Sequence, residues 1–406
     1  MLFDPERHER LRGGPWDEGA ARAAIERIVR DAEQRFAPDR HWPLAPLDAD
    51  GGSTAPAFDL YLGAAGVVWA LHHLERAGAV GLQRSYAAYV DTLLPLNRAC
   101  LAAHGMAPAD RASYLGGDTG LLLLSSAFEA TAAKADELAA LIAGNVDHPA
   151  RELMWGSPGT LLAALFLFER TGEPRWAELY RRTERVLWSQ LAWSDEHRCA
   201  YWTQDLYGRR STYLDAVHGF AGTALPLIRG RALLEPGDWE AWRACIVRTV
   251  RATAVREGAH ANWPAFLDVP PARQKRLMQF CHGAPGFVTC LAGLPSDDLD
   301  DLLLAGGEAA WAAGPLRKGA NLCHGTGGNG YAFLKLFTRT GDERWLERAR
   351  AFAMHGIAQV AAHAATYGQG RYALWTGDPG FAAYLWDCVR GEGAFPTLDV
   401  FFPPQP

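Results

Sequence analysis

Short, wholly apolar runs alternate along the chain with longer stretches in which apolar residues return every three or four positions. The apolar runs include Val67 to Leu71, Leu121 to Leu124, Thr160 to Phe168, Thr223 to Ile228, Phe287 to Leu291, Tyr331 to Phe337 and Phe381 to Trp386. Helical period is clear in Asp17 to Phe36, where Ile25, Ile28 and Val29 sit among Glu and Arg. It recurs in Arg175 to Leu191, with Trp176, Leu179, Tyr180 and Leu187 on one face, and in Arg344 to Val360, with Trp345, Phe352 and Ile357. Two of these stretches open on related turns, Thr171-Gly-Glu-Pro-Arg-Trp176 and Thr340-Gly-Asp-Glu-Arg-Trp345. An amphipathic helix needs cover on one face, whereas a helix that is apolar all round must be enclosed. The pattern therefore predicts pairs of helices, one half-buried and one enclosed.

A glycine element marks the start of every apolar run. It reads Gly63-Ala-Ala-Gly66, Gly117-Asp-Thr-Gly120, Gly156-Ser-Pro-Gly159 and Gly219-Phe-Ala-Gly222, then Gly283-Ala-Pro-Gly286, Gly325-Thr-Gly-Gly328 and Gly377-Asp-Pro-Gly380. The first glycines are 54, 39, 63, 64, 42 and 52 residues apart. One such element is an ordinary turn; seven, each opening an apolar run, are a structural repeat. Seven helical hairpins with the enclosed helices inside and the amphipathic ones outside form an all-α fold, an α/α toroid. The glycines let backbones crowd together at one end of it. Strand signals are weak, and His197 to Tyr213 reads as a polar, aromatic hairpin or loop. No linker rich in Pro, Ser or Gly interrupts the series, so residues 1–406 are expected to form a single toroid domain.

Composition narrows the class. The chain is 49% hydrophobic and 21% charged with 15 Trp, which excludes a disordered protein. Its net charge of −6 and the lack of any basic run argue against nucleic acid as a partner. The longest clean apolar stretch, Leu161 to Phe168, is far too short to span a membrane, and Met1 to Arg12 lacks the apolar core of a secretion signal. Seven scattered cysteines suit reduced thiols or a metal site in the cytoplasm rather than a disulfide framework.

If the repeats are equivalent, the positions just before each first glycine share one rim. Four of these pairs are unremarkable: Tyr61-Leu62, Leu115-Gly116, Met154-Trp155 and Trp375-Thr376. The other three are Val217-His218, Cys281-His282 and Cys323-His324. Cys281 and Cys323 hold the same place in adjacent repeats, so a toroid brings their sulfurs together. Two thiolates and one imidazole suit tetrahedral Zn(II), and three protein ligands leave a position open for catalysis. Spacing alone does not choose between His282 and His324 as the third ligand. His218, one repeat earlier, is placed to act as a general acid or base. Glu152 and Asp59, each four residues before a first glycine, could orient a histidine or protonate a reacting atom. Arg317 and Lys318, before the sixth element, could hold an anionic substrate. Cys100, Cys199, Cys245, Cys290 and Cys388 follow no such pattern and read as packing residues.

Phe280-Cys-His-Gly-Ala-Pro-Gly286, Leu322-Cys-His-Gly-Thr-Gly-Gly-Asn-Gly-Tyr-Ala-Phe333 and His218-Gly-Phe-Ala-Gly222 resemble the signature motifs of the lanthionine synthetase C-like family. The resemblance covers nearly the whole chain. It implies an α/α toroid with zinc held by Cys281, Cys323 and His324, leaving His282 outside the coordination sphere, and with His218 as the acid/base residue. One branch of the family cyclises dehydrated precursor peptides. The other, stand-alone branch adds glutathione to dehydroamino acids in proteins, and this chain is more similar to it. Glu152 matches that branch where cyclases tend to have Asp, and Lys318 matches a lysine associated with glutathione. Arg371 matches a further arginine only loosely, and Phe280 stands where Trp is usual.

The resemblance thus implies thiol addition, of glutathione or a similar thiol, to dehydroalanine or dehydrobutyrine in a peptide or protein, with lanthipeptide cyclisation as the alternative. A toroidal glycoside hydrolase would need paired carboxylates at the rim, and the rim here carries Cys and His. A non-catalytic zinc scaffold is disfavoured by the open coordination position.

Overall fold

The computed structural model describes residues 2–49, 55–270 and 273–402. Fourteen helices alternate along these residues between an outer and an inner ring. They are α1 (Glu18–Arg35), α2 (Ala64–Arg76), α3 (Ala87–Ala103), α4 (Asp118–Phe128), α5 (Ala132–Asn145), α6 (Ser157–Thr171) and α7 (Pro174–Ser189). The series continues with α8 (Phe220–Arg229), α9 (Pro236–Thr253), α10 (Ala284–Leu291), α11 (Asp300–Ala313), α12 (Thr326–Thr340), α13 (Glu343–Tyr367) and α14 (Asp378–Arg390). The even-numbered helices are the inner ones. Each packs on the next even-numbered helix, and α14 packs back on α2. The amphipathic α1 lies against α14, so the first helix of the chain helps close the ring onto the last. The apolar runs thus become the enclosed wall of an α/α toroid, with every residue of α4 from Asp118 to Ser126 buried.

The first glycine of each element is the N-cap of an inner helix. The second has a stricter reason to be glycine. A Cβ there would lie 1.8 to 2.4 Å from the carbonyl oxygen of the residue six positions earlier, in all seven repeats. No side chain fits that approach, so the loop before each inner helix folds tightly over its first turn. The two related Thr-Gly turns end α6 and α12, with Gly172 (φ 68°) and Gly341 (φ 70°) in the left-handed conformation that closes a helix.

These folded-over loops are stitched to one another. Tyr61 N–H donates to Leu115 O, Leu115 N–H to Met154 O, and Leu153 N–H to Val217 O. Cys281 N–H donates to Cys323 O, Cys323 N–H to Trp375 O, and Trp375 N–H to Tyr61 O. Among the described residues, six of the seven steps round the rim carry such a bond; the step from His218 to Cys281 does not. This backbone ring is what puts equivalent sequence positions side by side.

The insertion expected at His197 to Tyr213 is larger than a single loop. It forms two antiparallel hairpins, β1 (Ala192–Ser194) with β2 (Cys199–Tyr201) and β3 (Gln204–Leu206) with β4 (Arg209–Ser211). A third hairpin, β5 (Val255–Glu257) with β6 (His260–Asn262), has no counterpart in the sequence reading. No helix among the described residues is long and apolar enough to cross a membrane.

Candidate functional site

The two cysteines expected on one rim do meet. Ligand atoms of Cys281, Cys323 and His324 lie within 4.8 Å of one another, with both sulfurs buried. Gln279 Nε2 donates to Cys281 Sγ at 2.9 Å, and the phenol of Tyr61 donates to Cys323 Sγ at 2.9 Å. The Cys281 thiol donating to Cys323, opposed by burial and helped by His324 and Tyr61, leaves the Cys323 thiol well below its ordinary pKa. Burial and that neighbouring thiolate push Cys281 well above its own. Two soft sulfurs and one imidazole at this separation, with a thiolate already favoured, fit a zinc ion by donor chemistry. His282 is not in this group: its Nδ1–H donates to Asp215 Oδ2 at 2.7 Å.

In five of the seven repeats the side chain four positions before the first glycine accepts backbone N–H bonds from its own loop. Asp59 Oδ1 accepts from the backbone N–H of Tyr61 and Leu62, and Ser113 Oγ from Gly116. Glu152 accepts from Met154 and Trp155, Asp215 Oδ1 from Val217 and His218, and Asn321 Oδ1 from His324. Two of these carboxylates have a second partner in the following repeat. Glu152 Oε2 accepts from His218 Nδ1–H at 2.8 Å, as Asp215 does from His282. Asp59 has no histidine to hold; burial pushes its carboxyl up to about 6. Of the two sequence candidates, then, Glu152 is the one that orients a histidine.

Burial by itself would lower the His218 pKa. The hydrogen bond and charge of Glu152, with Asp215 and Cys323 beyond, outweigh it and leave the imidazole above its ordinary value. With Nδ1–H committed to a carboxylate, Nε2 is the atom free to exchange a proton with a substrate. Tyr207 and Tyr213, from the insertion, place their rings 6.1 and 5.5 Å from that of His218.

Beside the thiols lies a cavity of about 620 Å³ whose lining includes His324, Arg317, Lys318 and Arg371. All three cations expected from the sequence thus reach one chamber, but not on equal terms. Arg371 is 6% exposed and held by Asp48, with Nε 2.7 Å from Oδ2. Arg317 Nε donates to His8 O at 2.8 Å. The exposed Lys318 ammonium has no partner among the described residues. The five remaining cysteines are free thiols; Cys199, Cys290 and Cys388 are buried and Cys100 and Cys245 half-buried, all away from this group.

Sequence reasoning passes over Asp215, Tyr61, Gln279 and the two insertion tyrosines. Asp215 has a visible signal, since it stands in the slot of Glu152 and Asp59. Tyr61 is treated as unremarkable on sequence grounds, and the structure corrects this: ring closure delivers its hydroxyl to Cys323.

The chain is 26% identical over 260 residues to glutathione S-transferase LANCL1 of Danio rerio, covering 61% of this chain and 62% of that one. It is 28% identical over 216 residues to LanC-like protein GCL1 of Arabidopsis thaliana, covering 50% of this chain and 46% of that one. The chain thus spans less than two thirds of the length of either relative. Among solved structures, nisin cyclase superposes with a TM-score of 0.58 at 14% identity, covering 92% of this chain and 99% of that one, which shows a shared fold. A model of the lanthionine synthetase C-like proteins matches residues 55–399, and on that extent of match the chain belongs to the lanthionine synthetase C-like family.

Proposed function

We propose that the protein adds glutathione, or a similar small thiol, to dehydroalanine or dehydrobutyrine residues in peptides or proteins, forming a thioether. The observation that carries this reading is the cavity in which Lys318 and Arg317 stand beside His324, at the edge of the thiol group. Two cations suit the carboxylates of a small peptide thiol and would fix its sulfur toward the rim. The relative named as a glutathione S-transferase supports the same class of thiol. Arg371, neutralised by Asp48, shapes the chamber rather than supplying free charge.

Cys281, Cys323 and His324 would hold the zinc ion, which when bound supplies the positive charge that keeps a thiol deprotonated near neutral pH. In the reaction the thiol gives up its proton to solvent, from which His218 is afterwards reprotonated, and its sulfur forms a bond to the β-carbon of the dehydroamino acid. The π-electron pair moves to the α-carbon, which takes a proton. His218 Nε2 donates that proton, and Glu152 holds the imidazole in the tautomer and direction required. Asp215 fixes the backbone carrying His218 through two N–H bonds. A reducing, cytoplasmic setting belongs to the same reading, supported by seven cysteines that are all free thiols.

The test is to incubate the purified protein with a dehydrobutyrine peptide and glutathione and to read the adduct by mass spectrometry. Cyclisation of a dehydrated precursor carrying its own Cys, with no glutathione adduct, would instead establish a lanthipeptide cyclase. Failure of both reactions with zinc loaded would overturn the enzymatic reading in favour of a scaffold.

A further inference from the structure

The hairpin of β3 and β4 is anchored at its base and overhangs the site at its tip. Asp205 N–H donates to Pro149 O, Arg151 donates to Thr203 O at 2.8 Å, and Gln204 Oε1 accepts from Tyr213 N–H at 2.8 Å. The strands pair Leu206 with Arg209, leaving Tyr207 and Gly208 as a two-residue tip. Both tip residues are left-handed, with φ of 54° and 70°. That turn favours Asn, Asp or Gly at its first position, and an aromatic residue is strained there. Local preference is overridden to aim one ring. The Tyr207 hydroxyl accepts from Trp155 Nε1–H at 3.0 Å, and its ring stands edge-on to His218 at 83°. Yet Tyr207 remains 64% exposed, so stability of the core does not explain its presence. Tyr213, backed by Phe266 at 4.5 Å, stands 5.5 Å from the same imidazole.

We propose that Tyr207, with Tyr213, forms the seat for the electrophile: an aromatic slot that binds a planar, conjugated dehydroamino acid beside His218 Nε2. This rests on the function proposed above and assigns its specificity on the peptide side. A dehydroamino acid is a flat π-system of alkene and amide, and flat π-systems pack well against aromatic rings. A saturated residue has a tetrahedral α-carbon and loses that contact. The thiol, in contrast, is expected from the Lys318 side, so the two substrates are recognised by separate walls.

Binding measured without any thiol separates the seat from the chemistry. Titration calorimetry of a dehydrobutyrine peptide, and of the same peptide with the saturated residue, is expected to favour the unsaturated one. Tyr207→Asn replaces the strained residue with one the turn prefers, so its melting temperature should hold or rise. The same variant should bind the dehydrobutyrine peptide about tenfold more weakly while glutathione affinity stays within about twofold. Tyr207→Phe, which keeps the ring, should retain most of the affinity. Unchanged peptide affinity in Tyr207→Asn, or an equal loss for both substrates, overturns the proposal. A wild-type protein that binds as described but yields no adduct would refute the proposed reaction and leave the seat standing.

Discussion

The phenol of Tyr61 donates a hydrogen bond to Cys323 Sγ from 262 positions away in sequence, across the seam where the first and seventh repeats meet. A hydrogen bond to a thiolate stabilises its charge and orients the sulfur. Tyr61→Phe keeps the ring stacked on Trp375 and removes only that donor. It should weaken zinc binding by roughly tenfold, the lower end for loss of a group that supports a ligand. Competition with a chromophoric chelator measures this, and equal affinity in the variant and the parent would remove Tyr61 from the metal centre.

The ligand set makes a sharper prediction. Cys281→Ala, Cys323→Ala and His324→Ala should each lose most of the zinc in elemental analysis, because each removes one of three donors that lie together. His282→Ala should keep it, since that ring is committed to Asp215 and lies outside the group. A full site in His324→Ala with an empty one in His282→Ala would reverse the assignment.

The raised pKa of His218 sets the direction of a pH effect. The proposed acid is the imidazolium, which is present below its pKa and vanishes above it, so kcat/KM should fall as pH rises through a value above 6.5. Glu152→Gln keeps a hydrogen-bond acceptor but removes the charge that raises the pKa, so the fall should move to lower pH. His218→Asn should keep zinc and lose ~10²–10⁴ in turnover, the usual worth of a positioned acid or base. A Glu152→Gln profile that coincides with the parent's would detach the limb from this pair.

What could be read from the chain and what could not divide along the repeat symmetry. The toroid and the meeting of Cys281 with Cys323 follow from counting positions relative to the glycines, because equivalent positions share the stitched rim. The same count, extended to the fourth position before every element, would also reach Asp215, which shares the slot of Glu152. Tyr61 escapes such counting because its partner depends on how the ring closes. Arg371 looks like a free cation in sequence, and only the fold brings Asp48, 323 positions away, to neutralise it. Tyr207 lies in an insertion that no other repeat shares, so symmetry gives it no place.

The second glycine of the sixth element joins fold to site most directly. A Cβ on Gly328 would lie 1.8 Å from Leu322 O and 3.0 Å from Phe280 Cβ. Neither neighbour can give way without moving the residue beside it, Cys323 in one case and Cys281 in the other. Gly328→Ala should therefore cost about 3 kcal/mol of stability in urea unfolding, the upper part of the range for an overpacked interior. It should also lower zinc content, since both sulfurs shift together. Gly81→Ala is the matched control: nothing lies within 4 Å of its Cβ position, so its cost should stay within about 0.5 kcal/mol. If Gly328→Ala unfolds like the control and holds its zinc, the close approach does not govern where the thiols stand.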